Sequence, residues 1–503
     1  MAYLTGINFM RKKLIVLMIL VIMLPLSSIA SSSVIKSTNE DLDPLVDVSV
    51  TVEIQAIRFL EDTLEKSYES SKAVIKIPLI KNLLNRLFRL ATVDDGNPNF
   101  YVKVFINGEE FTSDVWPDSK YVYGTWRATL NVPDDEEFVD IKIQLWDLKD
   151  SSSIPCDISG DPDDYDVELT YRIKTGHWTG DDSLKDPSGY GRLCGTDDGT
   201  IYETDNDCEI WFNIYQNDFD GDTIPYWTEQ YYYYTDPKVK DEGDPDGDGA
   251  SVEWEYKWGY NPFIYDYYEE IDPDGDSINN YEEYRTSQWF SDPFRKDVFV
   301  ELDMMEDGPN GEKVYFPEAS EELLNTAFDR QNVVFHLDYG DMGGHDRVPF
   351  DDLSTRGELD QIYEDYFLHG DENNWRRGVF HYGIVTYNVD GPPGWMYRSN
   401  AFQLASLGME DLTRYDWLDR NIIYASGYMH ELGHTFAFNP IPGHNKQSQY
   451  PWQPGYWINR PYKSCMNYGW VYTLVDYSDG SRRSPDIDDW ARIDYDAFER
   501  EWR

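Results

Sequence analysis

Cysteine and positive charge are what this 503-residue sequence has least of. Four cysteines in so long a chain exclude a disulfide-scaffold fold. Lysine and arginine number 43 against 94 aspartates and glutamates, a formal net charge of −51. Phosphate backbones and anionic lipid surfaces are gripped through basic footprints, so nucleic acid and an anionic membrane face are excluded as partners. Cations suit such a chain. Histidine is scarce as well, at 8 residues, which gives weight to any cluster of them. Long apolar runs are missing beyond the N-terminus, and no stable membrane span is expected in the mature protein. What is present is enough for real cores: 41% hydrophobic residues, with 39 Tyr and 17 Trp that suit packed sheets better than coiled coil or linker. At roughly 100–200 residues per domain, the length implies two to four domains.

The first thirty residues read as a targeting segment. Arg11-Lys12-Lys13 precedes Leu14–Leu26, which is apolar apart from Pro25, and Ser27-Ser28-Ile29-Ala30 supplies small residues for cleavage. Thirteen helical residues rise only about 20 Å, short of a bilayer core of roughly 30 Å. A signal peptide over 1–30 and a secreted or cell-surface location are expected. Disulfides are permitted there, and Cys194 with Cys208 is the expected pair.

Residues 31–215 read as an all-β sandwich, possibly C2-like. Val48–Ile54, Phe100–Ile106 and Ile141–Trp146 alternate, and turn signals such as Asn107-Gly108 separate them. Lys76–Leu90 has helical spacing. Asp147, Asp150, Asp157 and Asp161 form an acidic group for which both a solvated loop and a cation site stay open.

Residues 216–294 contain an internal repeat. Its copies place Asp218, Asp220, Asp222 and Glu229; Asp244, Asp246, Asp248 and Glu255; and Asp272, Asp274, Asp276 and Glu283 at positions 1, 3, 5 and 12 of a twelve-residue loop. Calcium takes six to eight hard oxygens, and this spacing aims three carboxylates inward while the position-12 glutamate closes the site. Acidic turns that merely solvate would not put acids at the same four positions three times. The copies resemble EF-hand and thrombospondin type 3 calcium loops, which implies about three structural Ca²⁺ sites. They depart from the EF-hand rule at position 6, where Gly249 has the usual residue but Thr223 and Ser277 do not. So dense a set of like charges is expected to be ordered only with metal bound.

From 295 to 503 strand and helix patterns mix. Asp297–Leu302, Val333–Leu337 and Val379–Tyr387 read as strands, Ser320–Arg330 and Glu358–Phe367 as helices. A further helix carries His430-Glu431-Leu432-Gly433-His434. Residues four apart share a helix face, so His430 and His434 can reach one zinc. Glu431 lies about 100° around the helix, placed to act as base on the water that zinc acidifies.

With Ser464-Cys465-Met466-Asn467-Tyr468 downstream, this stretch resembles the metzincin zinc metallopeptidases of secreted microbial type. The resemblance implies an α+β catalytic domain, Met466 in the tight turn beneath the metal, and Tyr468 near the zinc or the oxyanion. It is incomplete, because Ala437 stands at the family's glycine position and Pro440 at its third histidine. A third ligand must come from elsewhere. Between Thr435 and Val475 there is no Asp or Glu, and His444 is the only histidine. Cys465, Asp476, Asp479 and a tyrosine oxygen remain alternatives to His444. The resemblance also suggests that a substrate backbone extends an edge strand, for which Phe380–Asn388 is the candidate.

The expectation is a multidomain secreted zinc endopeptidase acting on protein or peptide substrates and stabilised by calcium. Two other functions fit the sequence: a calcium-dependent surface or adhesion protein with an inactive protease-like domain, and a zinc amidase acting on cell-wall peptides.

Overall fold

A computed structural model describes residues 48–60, 97–133, 135–149, 152–198, 206–415 and 418–497. The signal segment 1–30, the Lys76–Leu90 helix and Asp150 lie outside the described residues. Among the described residues, no helix is long and apolar enough to cross a membrane.

Two antiparallel sheets make the N-terminal half. One has the order β4-β1-β10-β9, formed by β1 (Ser49–Phe59), β4 (Tyr121–Asn131), β9 (Arg192–Cys194) and β10 (Cys208–Gln216). The other has the order β3-β2-β5-β7-β8, from β2 (Phe100–Ile106), β3 (Glu109–Thr112), β5 (Phe138–Lys149), β7 (Val167–Arg172) and β8 (His177–Gly180). A short β6 (Ser152–Cys156) pairs with β5. Val50, Val52 and Ile54 of one sheet share a core with Val102, Val104, Ile141 and Ile143 of the other. Alternating strands thus bury one face of each sheet, as in a sandwich. Trp254, Trp258 and Tyr268 of the repeat segment join the same core, so the acidic loops are anchored on the sandwich by aromatic packing.

The C-terminal sheet is mixed, in the order β12-β11-β14-β16-β15. Strands β11 (Asp297–Met305), β12 (Val334–Asp338), β14 (Phe380–Thr386) and β16 (Ala401–Ala405) run parallel, and β15 (Gly394–Arg398) runs antiparallel at the edge. A two-residue β13 (Arg347–Val348) pairs with the end of β11. The parallel strands are buried at every position, as strands covered on both faces are. This corrects the edge-strand expectation. Phe380–Thr386 is interior, hydrogen-bonded on both sides, and the edge next to the histidine helix is β15.

The cysteine expectation is corrected too. All four cysteines are free and buried. Cys194 lies opposite Glu209 in the β9–β10 ladder, so Cys208, one residue on, projects to the other face of the sheet. The thiol of Cys208 instead meets that of Cys156. Asp147 and Asp157 are locally engaged: Asp147 pairs with Lys149 at 2.7 Å, and Asp157 accepts the Ser159 N–H at 2.9 Å.

A buried charge network joins the sandwich to the C-terminal region. Glu209 on β10 and Asp329, the last residue of helix α1 (Glu318–Asp329), are both within reach of Arg58 and Arg295. Arg192 adds a 2.7 Å bond to Glu209. Both acids are almost wholly buried. Such groups are tolerated only when paired.

Candidate metal centres

Helix α2 (Arg420–Thr435) starts at Asp419, whose side chain accepts the N–H groups of Asn421 and Ile422. It packs on β15, β16, β14 and α1, and every residue from Ile422 to Gly433 is buried. Gly433 is small for a reason. A Cβ there would lie 2.5 Å from Met466 Sδ and 3.0 Å from the Tyr477 ring. Met466, itself fully buried, therefore sits directly against the helix at the histidine pair.

The helix stops at Thr435, four residues before Asn439-Pro440. Ala437 takes φ 56°, the left-handed conformation that glycine adopts without cost. The turn is made at the family's glycine position, but with a Cβ present. The chain then brings His444 back to the helix. Its ring centroid lies 5.1 Å from that of His430 and 4.8 Å from that of His434. The Gly443 carbonyl accepts the Tyr468 N–H at 3.3 Å, tying this loop to the Met466 turn.

The ligand atoms of His430, His434 and His444 all lie within 4.8 Å of one another. His430 and His444 face each other Nε2 to Nε2 at 3.2 Å. His430 Nδ1 donates to the Cys465 carbonyl at 2.8 Å, which leaves Nε2 as the lone-pair nitrogen. Burial, and then the neighbouring imidazoles, push His430 well below the ordinary histidine range and His434 down to about 4; burial lowers His444 as well. All three are neutral at pH 7. A tetrahedral zinc with bonds of about 2.0–2.1 Å has ligand nitrogens about 3.3 Å apart, so the three-imidazole donor set and the His430–His444 spacing fit zinc. Of the other candidates, Asp476 accepts from Trp490, Asp479 accepts from Ser481 and Arg482, and the Cys465 backbone carbonyl accepts from His430.

Glu431 is buried, and burial pushes its carboxyl up to about 8. Its side chain lies against the first residue of β15: a Cβ on Gly394 would meet Glu431 Oε1 at 2.4 Å. Tyr468 lies beside His444 with ring centroids 4.3 Å apart and planes tilted by 52°. Burial, and then the Glu431 charge, raise its hydroxyl pKa. Sequence reasoning missed Gly394 and the Cys465 carbonyl. A glycine beginning a short strand after Pro392-Pro393 was the only available sign of the first. A backbone acceptor leaves no sign in sequence.

The three acidic loops share one geometry. The position-6 N–H of Thr223, Gly249 and Ser277 donates to the position-1 aspartate, at 2.6, 2.9 and 3.1 Å. All three have positive φ, at 79°, 103° and 73°, so the departure from glycine leaves the turn intact and places a side chain in left-handed space. The structure gathers Asp218, Asp220, Asp222 and Glu229 in one group, Asp244, Asp246 and Asp248 in another, Asp248, Glu255 and Asp266 in a third, and Asp272, Asp274 and Asp276 in a fourth. Glu283 is buried with Asp297, Asp276 and Asp274 as its charged neighbours.

No protein-family model and no curated protein matches the chain. Among solved structures it is similar to a C2 domain, at 8% identity and TM-score 0.18, over 34% of this chain and 98% of that one. It is similar to the C2A domain of plant extended synaptotagmin 1 at 9% identity and TM-score 0.18, over 34% and 94%. Human GIVD cytosolic phospholipase A2 is similar at 8% identity and TM-score 0.17, over 34% and 16%.

Proposed function

We propose that this chain is a secreted, metzincin-like zinc endopeptidase whose repeat segment is held by calcium. The observation that carries the reading is the convergence of three neutral imidazoles beside a buried glutamate, on a helix pinned by a methionine turn. When bound, zinc supplies a Lewis acid that acidifies water and polarises a carbonyl. The protein's own residues supply the rest. His430, His434 and His444 hold the metal, and the Cys465 carbonyl keeps the His430 ring in the correct tautomer. Glu431, its burial offset by the charge of a bound cation, acts as a carboxylate that takes the proton of the attacking water and passes it to the leaving amine. Tyr468 offers its hydroxyl to the developing oxyanion. A substrate backbone pairs along β15, the antiparallel edge strand whose first residue lies against Glu431.

Glu431→Gln tests the reading. The ligands are untouched, so zinc content stays at the parent level while casein hydrolysis falls by about 10²–10⁴-fold. Parent-like turnover would remove Glu431 from this role. Zinc binding with no hydrolysis in the parent itself would leave the adhesion reading.

A further inference from the structure

Each acidic loop is followed by a second recurrence that the twelve-residue pattern does not contain. Four residues after Pro237, Pro262 and Pro293 stand Asp241, Asp266 and Asp297. In all three copies the backbone N–H of this aspartate donates to Oδ2 of the loop's position-5 aspartate: Asp241 to Asp222 at 3.0 Å, Asp266 to Asp248 at 3.1 Å, and Asp297 to Asp276 at 2.6 Å. The chain therefore returns to each loop 18 to 21 residues after leaving it and presents another acid. Like charges brought together repel, and the cationic neighbour that Asp297 has, Arg295, is shared with the Glu209 network.

The closing glutamates show that the excess charge is directed at a ligand. Glu229 and Glu255 are 0% exposed and Glu283 is 1% exposed. Glu229 Oε2, Glu255 Oε2 and both oxygens of Glu283 are buried with no hydrogen-bond partner, as is Asp241 Oδ2. A buried carboxylate oxygen without a partner costs on the order of 1–3 kcal/mol or more, so its repetition at the same position in three copies points to a bound cation. Asp266 brings a carboxylate oxygen within 4.8 Å of those of Asp248 and Glu255.

We propose that each of the three cation sites takes a further acid from outside its loop, Asp241, Asp266 and Asp297 respectively, and that the third site thereby couples calcium to the C-terminal sheet. This rests on the calcium reading above. Asp297 is the first residue of β11, whose register with β12 and β14 begins at Asp297–Val334 and Phe299–Phe380. Its carboxylate also meets His336 on β12 and accepts the Asp292 N–H at 3.1 Å. The third site is thus shared between the repeat and the sheet that supports the histidine helix. The first two are completed within the repeat itself.

Calcium titration of the full chain by calorimetry, with terbium luminescence as a second probe, tests this. Asp241→Asn, Asp266→Asn and Asp297→Asn keep shape and lose charge. Each is expected to weaken one site by about 10–100-fold, while Glu270→Gln, exposed in the same segment, titrates like the parent. Asp220→Asn, inside a loop, is the reference for losing a site. If the three return-segment variants titrate like the parent while Asp220→Asn loses a site, the proposal is wrong and the loops bind alone. If Asp220→Asn is also indifferent, the calcium reading fails and this inference with it. Asp241 and Asp266 are only partly buried, so they decide the matter should Asp297→Asn not fold.

Discussion

Two regions of this molecule gather side chains that could hold a cation, and they are built from opposite electrostatics. Around α2, three imidazoles converge while neutral, because burial drives their pKa values down. In the repeat, carboxyl groups converge, and burial with mutual repulsion drives their pKa values up, to about 8 for both Glu229 and Glu255. A neutral imidazole cluster can rest in a packed site with its metal absent. A cluster of unpaired carboxylates cannot, except by taking up protons. On the proposed reading, the imidazole site is preorganised without its metal, whereas the acidic loops depend on theirs for order.

Removing each metal in turn sharpens the contrast most. A calcium-selective chelator should open 216–294 to proteolysis and lower Tm sharply, since each site filled at about 100 times its Kd contributes about 2.7 kcal/mol. Cleavage indifferent to calcium would reduce the loops to solvated turns.

Next in size is the loss of one imidazole. His444→Ala should weaken zinc binding by orders of magnitude, with little change in the Tm of the zinc-free protein, while His345→Ala and His369→Ala bind zinc as the parent does. Metal retention by His444→Ala would hand the third position to Asp476 or Asp479.

The pH dependence follows from the same difference. In the calcium-free protein Glu229 and Glu255 have folded pKa values of about 8, above their ordinary 4.5. Their contribution to stability is fully present below pH 4.5 and is lost as pH rises through 8. Calcium replaces those protons, so the Tm gap between loaded and calcium-free protein should widen from pH 5 to pH 8. A constant gap would mean that these glutamates do not face the metal.

The smallest effects concern the backbone. Thr223 at φ 79° and Ala437 at φ 56° occupy left-handed space. Thr223→Gly and Ala437→Gly should each stabilise by about 1 kcal/mol, measured by chemical denaturation. Destabilisation at either would show that its side chain makes contacts worth more than the strain.

Much of this was legible in the residues. His430, Glu431 and His434 stand out because four-residue spacing is a geometric statement about a helix face. His444 stood out through the scarcity of histidine, and the loops through threefold repetition. Other features failed for physical reasons. Phe380–Thr386 is buried at every position, but His381, Gly383 and Thr386 interrupt its apolar run, so its cover on both faces does not show in the sequence. The true edge, Gly394–Arg398, is short, half-buried and preceded by Pro392-Pro393, and carries no period. The Cys194–Cys208 pairing failed on a one-residue register that only the ladder reveals. The returning aspartates were visible as Pro-x-x-x-Asp, but nothing linear connects them to a loop 18 to 21 residues earlier.

The central claim is that one rigid imidazole site carries the chemistry while the acidic loops carry the order. It is tested most directly by stripping zinc alone from the purified full chain, with calcium kept in excess, and following metal content, peptide hydrolysis and thermal unfolding together. The account predicts one zinc per chain, hydrolysis lost on its removal and regained on its return, and an unfolding transition that falls by no more than the linkage of one bound ion accounts for. A chain that hydrolyses peptides equally well without zinc, or that binds none, would contradict it.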